Sequence, residues 1–131
     1  MARCLQRIRQ AADRHSAKLV VLSVPWAYVS AHAVAIKRRL GFRIEDSATR
    51  SDAPDEAIRA TCRTAGIEFH CFTERFREES KDRNLFFEFD GHFNAAGYSL
   101  YGEEVCKLLL EQKLLPTDAS APRTNAPLSG K

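Results

Sequence analysis

The sequence has no apolar run long enough to cross a membrane. Its best apolar segment, residues 19–24, falls far short of the roughly 20 residues that a spanning helix needs, and the basic amphipathic stretch before it does not have the form of a signal peptide. The four cysteines contain no CxxC pair, which favours free thiols and a reducing compartment over a disulfide framework. We therefore expect a cytoplasmic protein by default, unless sequence upstream of residue 1 carries a signal.

The sequence also lacks a strong charge of one sign. It has 20 basic and 17 acidic residues, a net charge of +3, and this balance argues against a nucleic-acid or membrane-surface partner. At 131 residues and 44% hydrophobic content, one domain with one core is expected. We predict that the domain spans residues 1–115 and that residues 116–131, rich in Pro, Ala, Ser and Thr, form a disordered tail.

Apolar periodicity and helix-ending residues predict an alternation of helices and strands. Helices are expected at 2–16, 26–40, 53–65 and 95–114, a short one at 73–77, and strands at 19–24 and 67–72, with 85–89 returning to the sheet edge. Gly41 and Gly66 are expected to end two helices, and Asn94 to cap the last. This order predicts parallel strands in a layered α/β domain, whose chemistry gathers at the carboxyl ends of the strands.

Asp90 and His92 stand two residues apart in a tight turn between an aromatic run and the last helix. An Asp in that place can hold one imidazole nitrogen and leave the other free to accept a proton, as the orienting group and base of a nucleophilic triad do. The alternative is a simple turn, with His92 lying against the start of the helix.

The surroundings of this pair carry a family resemblance. Residues 89–98 read FDGHFNAAGY and resemble the final block of the SGNH hydrolases, the GDSL-type esterases and related carbohydrate O-acyl-transfer enzymes. Residues 2–114 look like the second half of that fold. The resemblance implies a flavodoxin-like, three-layer parallel sheet with flanking helices, incomplete at its N-terminus.

Two departures limit the match. The family commonly has Asp-x-x-His, whereas this chain has Asp-x-His, a spacing that looks like the polysaccharide-acetylating branches. The blocks that would carry the nucleophilic Ser and the oxyanion-hole Gly and Asn are absent, so the chain looks like the C-terminal half of a catalytic domain. Ser23, Ser30, Ser80 and Ser99 stand at no glycine-flanked elbow of the kind that presents such a nucleophile.

The resemblance implies a serine-dependent ester hydrolase or O-acyl transferase, with His92 as base and Asp90 as its orienting group. No cofactor or metal is expected, and the substrate is an ester-bearing small molecule or a carbohydrate. Trp26, Phe93 and Asn94 are the candidate substrate-binding residues.

Two other interpretations remain open. A metal site at His70, Cys71, Asp90 and His92 is disfavoured, because adjacent residues on a strand point to opposite faces. A non-catalytic α/β module is the second, and it would bind a partner through an uncovered edge of the strand at 19–24.

Overall fold

The computed structural model describes residues 2–115, and most of these residues are helical. The predicted tail at 116–131 lies outside the described residues. The elements are α1 (Ala2–Arg14), β1 (Val20–Leu22), α2 (Ala31–Arg39), α3 (Ala53–Ala65), β2 (Glu68–His70), α4 (Thr73–Glu79) and α5 (Ala95–Glu111), with 3₁₀ turns at Ala27–Val29 and Asp46–Thr49. Across this part of the chain, no helix is both long and apolar enough to span a bilayer.

The helix ends follow from the local sequence. Pro54 stands in the first turn of α3, and Gly66 closes that helix with a left-handed φ of 66°. The side-chain oxygen of Asn94 accepts a hydrogen bond from Gly97 N at 3.0 Å and caps α5 as predicted. Ser30 caps α2 in the same way, and this splits the predicted helix 26–40 into a 3₁₀ turn and α2.

The two strands pair in parallel, as predicted, with Val21 opposite Phe69. Successive strand residues point to opposite faces. Val21 packs on a cluster built around Cys62, Ala65 and Ile67, whereas Leu22 packs on a larger cluster centred on buried aromatic rings. The strand pair therefore separates two hydrophobic cores.

The aromatic core is formed by α4, the segment that follows it and α5. Phe76 stacks on Phe93 with ring centroids 4.8 Å apart, and Phe86 lies 5.4 Å from Phe93. Leu85 and Leu100 complete the centre of this cluster and are almost wholly buried. These contacts fix the segment that leads into residues 90–92.

The prediction of a three-layer parallel sheet of the flavodoxin-like hydrolase type is wrong. Within residues 2–115 the sheet has two strands, each three residues long, and helices make up most of the rest. Residues 85–89 do not extend this sheet, because Leu85 and Phe86 are held in the aromatic core, and Phe86 forms its bridge with Phe93. In the described chain the outer edge of β1 consequently has no strand partner.

Candidate functional site

The turn at residues 90–92, hereafter the Asp–His turn, is the tip of a short antiparallel connection. Phe87 N donates to His92 O at 3.0 Å, and Asn94 N donates to Leu85 O at 3.1 Å. The chain leaves the aromatic core at Phe86 and re-enters it at Phe93. The Asp–His turn is thus an exposed loop immediately before α5, and the aromatic core holds both of its ends.

Asp90 and His92 are in contact within this turn. Asp90 Oδ1 accepts a hydrogen bond from the His92 backbone N at 2.8 Å and lies 3.3 Å from His92 Nδ1. This is the contact that an orienting carboxylate makes with a base. The side chains are 55% and 76% exposed respectively, so the Nε2 side of the imidazole is open to solvent.

The contacts of Asp90 lower the pKa of its carboxyl group. The hydrogen bond from the His92 backbone amide holds the pKa of Asp90 below its ordinary value, and the His92 ring and Lys37 lower it further. The lowered pKa favours the ionised form of Asp90, and this carboxylate can stabilise a protonated imidazole when one forms.

Trp26 connects the Asp–His turn to the carboxyl ends of the strands. A Cβ placed on Gly91 would lie 3.1 Å from Cζ2 of the Trp26 indole, so the ring lies directly against the glycine. Trp26 itself is 58% exposed. Of the three candidate substrate-binding residues, this is the one that the structure leaves open beside the Asp–His turn.

The other two candidates are occupied by structural contacts. Phe93 is 4% exposed and stacks in the aromatic core. Asn94 uses its oxygen to cap α5, and its Nδ2 donates to Asn84 O at 2.8 Å. A role for either in binding substrate remains a prediction.

No serine among residues 2–115 forms a hydrogen bond with His92. Ser30 caps α2, the Ser80 hydroxyl donates to Phe76 O at 2.5 Å, and that of Ser99 donates to Glu103 at 3.1 Å. Ser23 is buried, and its hydroxyl has no hydrogen-bond partner in the described part of the chain. Among the described residues, Asp90 thus contacts His92 without a serine beside the imidazole.

A cleft of about 560 Å³ opens where β1 and β2 end, and Trp26 forms part of its wall. Residues 22–26 line one side, Ile58 lies on α3, and Thr73 begins α4. The structure brings together at this cleft the segments that follow both strands, and through Trp26 it places the cleft beside the Asp–His turn. Parallel sheets commonly bind ligands at this end.

A polar contact in this cleft was not predicted from the sequence. The Thr73 hydroxyl donates a short hydrogen bond to the Asp55 carboxylate, and both residues line the cleft. The residues stand 18 positions apart, on α3 and α4, so their pairing depends on how those helices pack. In the sequence, Thr73 follows a predicted strand and Asp55 stands in the first turn of a predicted helix. Neither position alone indicates that the two side chains meet.

The residues considered for a metal site have other partners. His70 Nε2 lies 2.7 Å from Glu68 Oε1, and Cys71 Sγ lies 3.3 Å from the Arg59 guanidinium. Among the residues that the structure describes, no three His, Cys, Asp or Glu side chains converge as metal ligands would.

Glu68 is held ionised by two neighbours. Lys18 Nζ lies 3.1 Å from its carboxylate, and the hydrogen bonds from Lys18 and then His70 lower the pKa of Glu68. The contact gives His70 a structural partner on the same face of β2.

The chain was compared with protein-family models, curated proteins and solved structures. No family model, curated protein or solved structure matches it.

Proposed function

We propose that Asp90 and His92 are the orienting group and base of a serine-dependent ester hydrolase or carbohydrate O-acyl transferase. The observation that carries this proposal is the contact of Asp90 Oδ1 with both the amide and Nδ1 of His92, which leaves Nε2 free. The resemblance of residues 89–98 to the last block of the SGNH hydrolases supports the same chemistry. In this proposal the nucleophilic serine comes from another polypeptide segment.

The free Nε2 of His92 takes the hydroxyl proton of that serine as its oxygen attacks the ester carbonyl carbon. Asp90 stabilises the imidazolium that results. When the tetrahedral intermediate collapses, His92 gives the proton to the departing alcohol and an acyl-serine remains. Water, or a sugar hydroxyl in a transferase, then attacks the acyl group with His92 again as base, which releases the acid or the new ester.

Exposed apolar residues beside the Asp–His turn support the proposal that a further polypeptide segment packs there and supplies the serine. Phe87, Phe89 and Tyr98 are 53%, 77% and 61% exposed, and Phe89 adjoins Asp90 directly. A segment that covered these rings would also exclude water from His92, and a general base works more effectively in such an environment. The charge balance gives no reason to add a nucleic-acid partner.

The same exposed rings favour a second candidate function. A non-catalytic module would bind a protein partner through Phe87, Phe89 and the outer edge of β1, which has no strand partner within residues 2–115. In that case the contact between Asp90 and His92 only stabilises a turn.

Labelling with a fluorophosphonate probe separates the two candidates. The protein should be tested in two forms: the 131-residue chain, and the chain together with the polypeptide encoded upstream of it. For the form that contains the nucleophile, His92→Ala should reduce labelling and p-nitrophenyl acetate hydrolysis about 10²- to 10⁴-fold, because proton transfer is lost. The 131-residue chain alone should show little or no labelling.

His32→Ala is the matched control, because His32 is an exposed histidine on α2 whose side chain makes no hydrogen bond to the described residues. It should label like the parent protein. Labelling that persists after His92→Ala would show that the assignment of His92 is wrong. An absence of labelling in both forms would favour the non-catalytic module.

A further inference from the structure

An unpartnered hydroxyl at the strand ends points to a ligand. Ser23 is 7% exposed, lines the cleft, and has a buried Oγ with no hydrogen-bond partner among the described residues. A buried hydroxyl without a partner is unfavourable. Rotation about one side-chain bond is the only movement that Ser23 needs to reorient its hydroxyl, and a carbonyl oxygen bound in the cleft would give it an acceptor.

The walls of the cleft are otherwise mainly apolar. Its volume, about 560 Å³, is in the range of small-molecule sites. The apolar lining is formed by Leu22, Val24, Pro25, Trp26, Val29 and Ile58. Such a surface favours a ligand that is mainly aliphatic or aromatic over a ligand that carries many hydroxyl groups.

The carboxylate of Asp55 determines which ligand charge the cleft accepts. This carboxylate lines the cleft and receives a hydrogen bond from Thr73. Among residues 2–115, no Lys or Arg lines the cleft. A bound carboxylate would therefore meet a like charge with no compensating cation, whereas a neutral carbonyl compound would not.

We propose that this cleft binds a neutral, mainly apolar carbonyl compound, with the Ser23 hydroxyl donating to the carbonyl oxygen and Asp55 rejecting the corresponding acid. The assignment of this compound as the acyl part of an ester rests on the proposed function. In that setting Asp55 favours release of the acid product over the ester that precedes it.

Trp26 allows direct measurement, because it is the only tryptophan in the chain and forms part of the cleft wall. The folded 131-residue chain should be titrated at pH 7 with 2-octanone and with octanoate, which have the same carbon number and differ in charge. We expect 2-octanone to change Trp26 fluorescence saturably and to bind at least about tenfold more tightly than octanoate. Isothermal calorimetry should give the same ratio.

Two variants test the assigned residues. Ser23→Ala should weaken 2-octanone binding about fivefold, the usual value of one hydrogen bond, while Ser99→Ala on the exposed surface of α5 should not. Asp55→Asn should bring octanoate close to 2-octanone in affinity. Glu56→Gln removes the same charge from the neighbouring exposed position and should leave the preference intact.

The proposal is overturned if 2-octanone does not saturate, if octanoate binds the unmodified protein as tightly, or if Ser23→Ala binds 2-octanone unchanged. The comparison of the two ligands on the unmodified protein decides the charge preference even if Asp55→Asn fails to fold. His92→Ala should retain 2-octanone binding. Binding of 2-octanone without fluorophosphonate labelling in either form of the protein would contradict the proposed function and leave the cleft assignment standing. Labelling of the form that contains the nucleophile, without 2-octanone binding, would support the proposed function and contradict the cleft assignment.

Discussion

Gly97 shows how closely the chain packs behind the Asp–His turn. A Cβ at this position would lie 2.2 Å from Leu85 O and 2.9 Å from Phe93 Cβ, so a methyl group cannot be accepted without movement of the backbone. The small residue at the start of α5 therefore lets the helix approach the segment that supports Asp90 and His92.

We expect Gly97→Ala to lower the free energy of unfolding by about 1–3 kcal/mol, because it overpacks this contact. Gly102→Ala is the matched control, since a Cβ there meets nothing within 4 Å on the same helix. That change should raise stability by roughly 0.5–1 kcal/mol. Urea unfolding followed by circular dichroism measures both values, and equal effects would contradict the close approach at Gly97.

Local sequence was sufficient to predict some residue contacts and insufficient for others. The Asp90–His92 contact spans two residues within one turn, so the spacing alone indicated it. The contact between Asp55 and Thr73 joins two helices, and the indole of Trp26 lies against Gly91, 65 positions away. Such contacts depend on packing, which a local pattern does not determine.

At the scale of elements, β2 is joined to the rest of the molecule partly by charge. Glu68 contacts Lys18 and His70, and these partners hold the pKa of Glu68 below its ordinary value. A carboxyl group with a depressed pKa in the folded state stabilises the fold above its unfolded pKa. This contribution is lost as the pH falls through the folded pKa.

We therefore expect Glu68→Gln to reduce the loss of stability on acidification. Urea midpoints at pH 7 and at about pH 3 should differ less for the variant than for the unmodified protein, and the variant should be the less stable of the two at pH 7. Glu88→Gln is the control, because Glu88 is exposed and makes no ion pair within residues 2–115. An unchanged pH dependence in Glu68→Gln would show that the Lys18 and His70 contacts do not form in solution.

Helix bounds were predicted better than strand extents. Pro54 and Gly66 define α3 locally, and its predicted range was confirmed. The runs at 19–24 and 67–72 gave strands of only three paired residues each, because pairing depends on the neighbour available to each strand. The aromatic run at 85–89 has a strand-like composition, yet burial of Leu85 and Phe86 in the aromatic core decides its path.

At the scale of the whole molecule, the aromatic core holds most of the large buried side chains. Phe76 has no exposed surface and lies within 6.5 Å, between ring centroids, of Phe86, Phe93 and Tyr101. These rings connect α4, the segment before the Asp–His turn, and α5. The integrity of the candidate site thus depends on this core.

Phe76→Ala should lower the free energy of unfolding by about 3–5 kcal/mol. A typical domain has a free energy of unfolding of only roughly 5–15 kcal/mol, so this loss is a large part of the total. We expect a strongly reduced urea midpoint and loss of the 2-octanone response of Trp26. Phe89→Ala removes the same ring from a position that is 77% exposed and should change stability by no more than about 0.5 kcal/mol. Similar midpoints for the two variants would contradict the assignment of Phe76 to the core.

Helix α1 packs along α3 and covers one side of β1. It has no fully buried residue, and Leu5 packing and the Arg9–Ala65 hydrogen bond of 2.8 Å are among the contacts that hold it on α3. Because α1 lies at the surface, we expect it to detach at a lower free energy than global unfolding requires, and this opening would uncover the Leu19 and Val21 side of β1. Proteases and chaperones recognise such transiently exposed apolar strands, so the residence of α1 on α3 helps set how long each molecule persists in a cell.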